Sequence, residues 1–307
     1  DKLEDNLYSI RKIKDREFKE QEVPTEATIK EAIDIFYIVN AAGVNLTDAE
    51  LALAQISGYW PEARALFKEK LKKLNDNGFV FKLDFIIYVL LGILHNVGSK
   101  MEKLHDSGNN ERIREIWEKL DKEILDYTFN ILKSQAYIDH TKEVNSVYAF
   151  VPIIVYAYKE GGNNLSQLEI KKIVKWFYYS QIRNRYISQL PQKLDKDISI
   201  IINENNPFDK LINLIALERN LEISANEFEG VGIQHPLWGL MKFYFKSKNA
   251  ICFSTGINIR KNMGKKYELE WDHIFPYSVL RDNGYDMNNR IKYQYAQEIT
   301  NRAVLTA

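Results

Sequence analysis

The 307 residues are 45% hydrophobic and carry 42 basic and 42 acidic side chains, which gives a formal net charge of zero. This composition allows a large buried core, and it excludes both global disorder and a whole-molecule positive field that would attract nucleic acid. Cys252 is the only cysteine, which excludes internal disulfides and a thiolate zinc cluster and favours a reducing compartment. We therefore infer a cytoplasmic protein.

The longest apolar run, residues 86–94, is far shorter than the ~20 residues of a membrane-spanning helix, so no membrane partner is expected. The first residues, Asp-Lys-Leu-Glu-Asp, lack the basic and apolar regions of a signal peptide. Neither end resembles a natural terminus, and we expect the sequence to be cut from a longer protein.

Apolar and polar residues alternate loosely over residues 7–13 and 16–23, a pattern that predicts one or two strands ending at Pro24. We interpret residues 1–26 as the strand remnant of an upstream domain.

From Ala27 the apolar spacing becomes helical, and residues 27–249 predict one multi-helical, all-α domain. Thr47 with Glu50, and Ser166 with Glu169, have the spacing of capping boxes that start helices. The predicted helices after the first capping box are Pro61–Asn75, Leu83–Val97, Glu111–Ser134, Ser146–Lys159, Ser166–Tyr186, Lys193–Asn203, Phe208–Asn220 and Leu237–Lys248. The fold class is therefore mainly α.

One of these helices carries a basic stripe that has two interpretations. Its members are Lys171, Lys172, Lys175, Arg183 and Arg185. Such a stripe binds phosphates in some proteins, but it more often forms a solvated helix face.

Residues 250–307 carry the most informative chemistry. The segment Trp271–Pro276 reads Trp-Asp-His-Ile-Phe-Pro and places a carboxylate beside an imidazole at the end of a predicted strand, Tyr267–Trp271. A neutral histidine is suited to act as a general base, and an aspartate is a hard oxygen ligand for a divalent cation. Adjacent strand residues point to opposite faces, so Asp272 and His273 cooperate only where the strand twists or ends.

Downstream, Asn301 directly precedes a second short apolar strand. Together the two segments resemble the HNH, or ββα-metal, nuclease motif. The resemblance implies that His273 is the general base, that Asp272 binds Mg²⁺ or Mn²⁺, and that Asn301 orients the histidine. In that family a following helix supplies the last metal ligand, and the sequence ends before it. The intervening Asp282, Asn283, Asn288 and Asn289 are substitute ligands or, more simply, turn residues.

The resemblance extends upstream. Segment 36–51 is similar to the Phe-x3-Asn-x2-Gly-x2-Leu-(Ser/Thr)-x2-Glu-(Leu/Ile) signature of GmrSD-type restriction proteins, and segment 176–197 is similar to a second stretch of their helical region. Those proteins carry a ParB-like nucleotide-handling domain before the helices and an HNH domain after them. The resemblance implies a prokaryotic defence enzyme, with nucleotide triphosphate used only through an upstream domain that lies outside this sequence.

The expected function is metal-dependent endonucleolytic cleavage of foreign, sometimes modified, double-stranded DNA by a protein of which this is a fragment. Four basic residues just before the proposed chemistry are the candidate DNA contacts: Arg260, Lys261, Lys265 and Lys266. The alternative is a non-catalytic helical scaffold for DNA binding or oligomerisation with a degenerate nuclease end. Homo-oligomerisation is compatible with either function.

Overall fold

The computed structural model describes residues 2–17, 20, 22–28, 31–32, 35, 38, 46–99, 103–104, 109–162, 164–260 and 269–306. The chain forms two compact units, Asp1–Leu46 and Thr47–Ala307. The domain boundaries predicted at residues 26/27 and 249/250 stay predictions. Most of the signature segment 36–51 lies outside the described residues.

In the first unit, the strand predicted over residues 7–13 is wrong, because Lys2–Arg11 form a helix, α1. Leu3, Leu7 and Ile10 recur at helical spacing and are all exposed. The described residues of 16–23 form no strand either. The few apolar side chains in this segment fit a spacing of three to four residues as well as alternation, so their pattern does not distinguish a helix from a strand.

The second unit confirms the predicted mainly α fold. Its helical body contains α2 (Asp48–Tyr59), α3 (Ala63–Asp76), α4 (Leu83–His95), α5 (Asn110–Lys119), α6 (Leu125–Gln135), α7 (Phe150–Lys159), α8 (Gln167–Ile182), α9 (Leu190–Asn203), α10 (Pro207–Glu218) and α11 (Pro236–Ser247). No helix among the described residues is long and apolar enough to cross a lipid bilayer.

Both predicted capping boxes are confirmed. Thr47 accepts the Glu50 amide while the Glu50 carboxylate accepts the Thr47 amide, which starts α2. Ser166 and Glu169 make the same reciprocal pair at the start of α8. The pair leaves fewer orphan amides at each helix start, which stabilises the helix by roughly 0.5–2 kcal/mol.

Helix α4 lies in the core and approaches its neighbours closely at Gly92. A β-carbon added there would lie 2.8 Å from Val155 Cγ2 on α7 and 3.1 Å from Ile198 Cδ1 on α9. The apolar faces of α4, α7 and α9 therefore meet at a point where only a hydrogen atom fits.

The predicted helix Glu111–Ser134 is divided by a π-helical turn, Leu120–Ile124, between α5 and α6. The ammonium group of Lys70, which is 5% exposed, donates to the carbonyl oxygen of Asp121 at 2.8 Å and to Asp126 Oδ1 at 3.1 Å. Lys70 on α3 thereby ties the turn to the rest of the body.

Two members of the basic stripe predicted on α8 make internal contacts instead of forming a phosphate-binding surface. Arg185 is 2% exposed, and its guanidinium contacts Asp197 at 2.7 Å and Glu218 at 2.8 Å. Arg183 pairs with Glu227. Burial opposes the charge of Arg185, but the hydrogen bond and charge of Asp197 outweigh it and raise the pKa of the guanidinium.

The C-terminal segment contains β1 (Leu269–His273), α12 (Tyr277–Asp282), α13 (Arg290–Gln297), a 3-10 turn (Ile299–Asn301) and β2 (Arg302–Thr306). The two strands pair antiparallel, with His273 opposite Arg302 and Asp272 opposite Ala303. Of the strand predicted at 267–271, residues 269–271 are confirmed and the strand continues to His273, whereas residues 267 and 268 lie outside the described residues.

Candidate functional site

The end of β1 brings Asp272 and His273 together, although alternation sends their side chains to opposite faces of the strand. The carboxylate oxygen Oδ1 of Asp272 accepts a hydrogen bond from the backbone amide of His273 at 2.7 Å. The same oxygen lies 4.0 Å from His273 Nδ1. The strand end therefore places a carboxylate and an imidazole close enough to act on one substrate group.

Asn301 holds the backbone that leaves this strand. Its side-chain oxygen accepts from the Phe275 amide at 2.9 Å, and its side-chain nitrogen donates to the Ala296 carbonyl at 3.0 Å. Its own carbonyl accepts from the Ile274 amide at 2.9 Å. Asn301 is 9% exposed, so these bonds are largely shielded from water. The residue positions the chain that follows His273 and, through it, the histidine.

The imidazole of His273 is held at both nitrogens. Its Nδ1 lies 3.1 Å from the Arg302 guanidinium, and its Nε2 lies 3.3 Å from Gln297 Oε1. A guanidinium only donates, so Nδ1 must carry the lone pair and Nε2 must carry the proton that Gln297 accepts. The contacts thus assign the Nε2–H tautomer. Tyr277 stacks on the ring with centroids 5.8 Å apart.

The electrostatic surroundings favour the neutral form of His273. Burial lowers the pKa of the imidazole, and the positive charge of Arg302 lowers it further, against smaller opposing effects of Gln297 and Asp272. Burial also lowers the pKa of Arg302. A neutral imidazole with its lone pair on Nδ1 has the form that a general base needs.

The fit of a divalent cation depends on Asp272. Its side chain is 75% exposed, so the carboxylate is open to a ligand. Within the described residues, no group of three or more His, Cys, Asp and Glu side chains is arranged to hold a metal ion. Mg²⁺ is often held by one or two carboxylates, with waters and substrate phosphates completing its shell, and Asp272 fits that limited role.

The four predicted DNA contacts do not all fall within the structure. Lys261, Lys265 and Lys266 lie outside the described residues. Arg260 is exposed, and its guanidinium contacts the helical body: it donates to the Ser134 carbonyl at 3.3 Å and lies 4.4 Å from the Tyr137 ring centroid. The contacts of Arg260 are therefore with α6 and the residues after it, and not with Asp272 or His273.

Gln297 and Arg302 are the site residues that sequence reasoning missed. Arg302 follows Asn301 directly, and pairing the end of β1 with the start of β2 would have placed it opposite His273. Gln297 is the last residue of α13. No sequence pattern identifies it as a site residue, because its contact with His273 depends on how α13 packs against the β1–β2 pair.

Three hydrogen bonds join the site to the preceding chain. The Ile299 amide donates to the Val231 carbonyl at 2.7 Å, and the Gly230 amide donates to Glu298 Oε2 at 2.9 Å. The Thr306 amide donates to Cys252 Sγ at 3.4 Å. These contacts hold residues 298–306 at both ends.

Comparison with protein-family models finds no match for this chain, and comparison with curated proteins finds none either.

Proposed function

We propose that this chain carries the catalytic residues of an endonuclease that hydrolyses phosphodiester bonds of double-stranded DNA with Mg²⁺ or Mn²⁺. The observation that carries the proposal is the state of His273: a neutral imidazole, its lone pair fixed on Nδ1, beside the exposed carboxylate of Asp272. The resemblance to HNH and GmrSD-type proteins supports foreign DNA as the substrate.

In this proposal His273 Nδ1 takes a proton from the attacking water. The Nε2–H group stays bonded to Gln297, which keeps the ring oriented while Nδ1 is protonated. General-base catalysis of this kind contributes typically 10²–10⁴-fold to a rate.

Asp272 would supply one oxygen ligand to the cation from the opposite face of the strand. A bound divalent cation offsets the negative charge that develops on the phosphate and the leaving oxygen. The second contribution of Asp272 needs no cation, because its carboxylate accepts the His273 amide and thereby stabilises the strand end.

Asn301 would act as a positioning residue. It accepts hydrogen bonds from the amides of Ile274 and Phe275, which fix the backbone after His273, and its donation to the Ala296 carbonyl holds the asparagine side chain in place. A small displacement of a reacting group costs orders of magnitude in rate, which makes such positioning functionally important.

The test is cleavage of supercoiled plasmid DNA by the full-length gene product with Mg²⁺ or Mn²⁺. We expect His273→Ala and Asp272→Asn each to lower the rate by at least ~100-fold. Glu69→Gln is the control, because Glu69 is an exposed carboxylate of α3 that pairs with Lys73 on the same helix. Parental rates in His273→Ala would refute the proposal, and DNA binding without cleavage in the parent would favour the scaffold alternative.

A further inference from the structure

Arg302 is a buried cation that makes no direct ion pair in the described part of the chain, and the exposed carboxylate of Asp272 acts on it only from beyond 4.0 Å. Its side chain is 4% exposed, and it forms no ion pair within 4.0 Å of any carboxylate in the described part of the chain. Its Nε has no hydrogen-bond partner there. Arg183 and Arg185, which are similarly buried, each contact at least one carboxylate.

The contacts that Arg302 does make are neutral. One terminal nitrogen lies 3.1 Å from His273 Nδ1, the other donates to Gln297 Oε1, and the guanidinium lies 4.4 Å from the Trp271 ring centroid. A buried charge with neutral partners is costly, because desolvation is only partly offset. The arrangement therefore favours an anion that binds at this guanidinium.

Arg302 also obstructs the chemistry proposed for His273. The lone pair on Nδ1 is the one that would accept the proton of water, and the guanidinium occupies it. While this hydrogen bond lasts, the base cannot act.

We propose that Arg302 binds a phosphodiester phosphate of the DNA substrate and that this binding releases His273 Nδ1 for catalysis. The inference rests on the proposed nuclease function. It adds a substrate contact and a hydrogen bond, between Arg302 and His273, that must break before the base can act. Guanidinium binds phosphate through paired hydrogen bonds, and an anion that draws Arg302 away from the imidazole would satisfy its Nε–H, which is buried without an acceptor in the described part of the chain. Trp271, 43% exposed, covers the other side of the guanidinium and lies at the surface where DNA would approach.

The proton balance does not involve Arg302, which stays protonated throughout. A water O–H bond breaks, its proton goes to Nδ1, and its oxygen forms the new bond to phosphorus. The ester P–O bond breaks, and the leaving oxygen takes a proton from solvent.

The experiment follows the ¹⁵N resonances of the His273 ring during titration with dimethyl phosphate, a diester anion. The resonances are assigned by their loss in His273→Ala. We expect a saturable shift of Nδ1 in the parent, but none in Arg302→Gln, and none with sodium chloride at matched ionic strength. Arg281→Gln, which changes an exposed arginine of α12, should titrate like the parent.

Two results would overturn the inference: an Nδ1 resonance that dimethyl phosphate leaves unchanged in the parent, or an equal shift in Arg302→Gln. The parental titration decides even where Arg302→Gln does not fold, and Arg302→Lys, which keeps the charge, should retain a weaker shift.

Cleavage assays separate this inference from the nuclease proposal. We expect Arg302→Gln to lower kcat/KM for DNA by at least ~10-fold. A phosphate-dependent Nδ1 shift in a protein that cuts no DNA would support the anion site and refute the nuclease. His273-dependent cleavage that persists at the parental rate in Arg302→Gln would support the nuclease and refute the role proposed for Arg302.

Discussion

The side-chain oxygen of Asn301 accepts the backbone amide of Phe275 at 2.9 Å, so this asparagine acts on the chain that follows His273 and not on the imidazole itself. We expect Asn301→Ala to lower the free energy of unfolding by ~1–3 kcal/mol, because buried backbone groups lose their partners. Hydrogen exchange should show faster exchange of the Phe275 amide. Asn283→Ala, which removes an exposed bond to Val279, should leave that amide protected. An unchanged Phe275 amide in Asn301→Ala would contradict the prediction.

Two contacts favour the Nε2–H tautomer of His273: Arg302 donates to Nδ1, and Gln297 accepts the Nε2 proton. Gln297→Leu removes the acceptor of the Nε2 proton, so we expect a minor Nδ1–H population and, in the nuclease assay, a loss of rate on the order of 10-fold. Gln297→Glu keeps an acceptor and should keep the Nε2–H form. Imidazole ¹⁵N spectra measure the tautomer directly, and an unaltered spectrum in Gln297→Leu would show that Arg302 alone fixes it.

Lys246 is a buried cation, and its removal would leave its partners without their hydrogen-bond donor and without a counter-charge. Its ammonium donates to the Tyr137 carbonyl at 2.8 Å and to Asp139 Oδ2 at 2.9 Å, and lies 3.4 Å from Glu143 Oε1. We expect Lys246→Met to lower the free energy of unfolding by roughly 3–5 kcal/mol, measured by urea denaturation. Lys248→Met, at an exposed position of the same region, should change it by less than ~0.5 kcal/mol. Equal effects in the two variants would be inconsistent with a buried ion network.

The same network makes stability depend on pH through Glu143. Burial raises the pKa of this carboxyl, but the charges of Lys246 and Lys242 outweigh burial and lower it below its ordinary value of 4.5. A lowered folded-state pKa stabilises the fold fully above the unfolded-state pKa, and this stability is lost as pH falls through the folded-state pKa. We therefore expect urea midpoints to fall as pH drops below about 4.5, and to fall less steeply in Glu143→Gln. An identical acid dependence in both proteins would exclude this carboxyl as a contributor.

Gly92 provides a test of the core. We expect Gly92→Ala to lower the free energy of unfolding by ~1–3 kcal/mol, because its methyl group would lie 2.8 Å from Val155 Cγ2. The double variant with Val155→Ala should be less destabilised than the sum of the two single variants. Gly232→Ala, where an added β-carbon meets nothing within 4 Å, is the control. Strict additivity would mean that Gly92 and Val155 do not limit each other.

The helical body could be predicted because capping boxes and apolar periodicity are patterns within one short stretch of sequence and need no knowledge of tertiary packing. The proximity of Asp272 and His273 followed from a strand end, and Asn301 from the strand after it. The π-helical turn and the contact of Gln297 could not be predicted, because they depend on packing between segments distant in sequence, whereas pairing the two strand ends is enough to place Arg302 opposite His273. The strand prediction for residues 7–13 was wrong because this short exposed segment has too few apolar residues to distinguish the helical period from the strand period.

The π-helical turn at Leu120–Ile124 has an evolutionary consequence. One extra residue in an α-helix widens a single turn into this form and rotates everything beyond it by about 100°, the angle between successive helical residues. The buried faces of α5 and α6 thus need not derive from one ancestral helix face. Because Lys70 donates to the Asp121 carbonyl inside this turn, we expect the lysine and the turn to be inherited together.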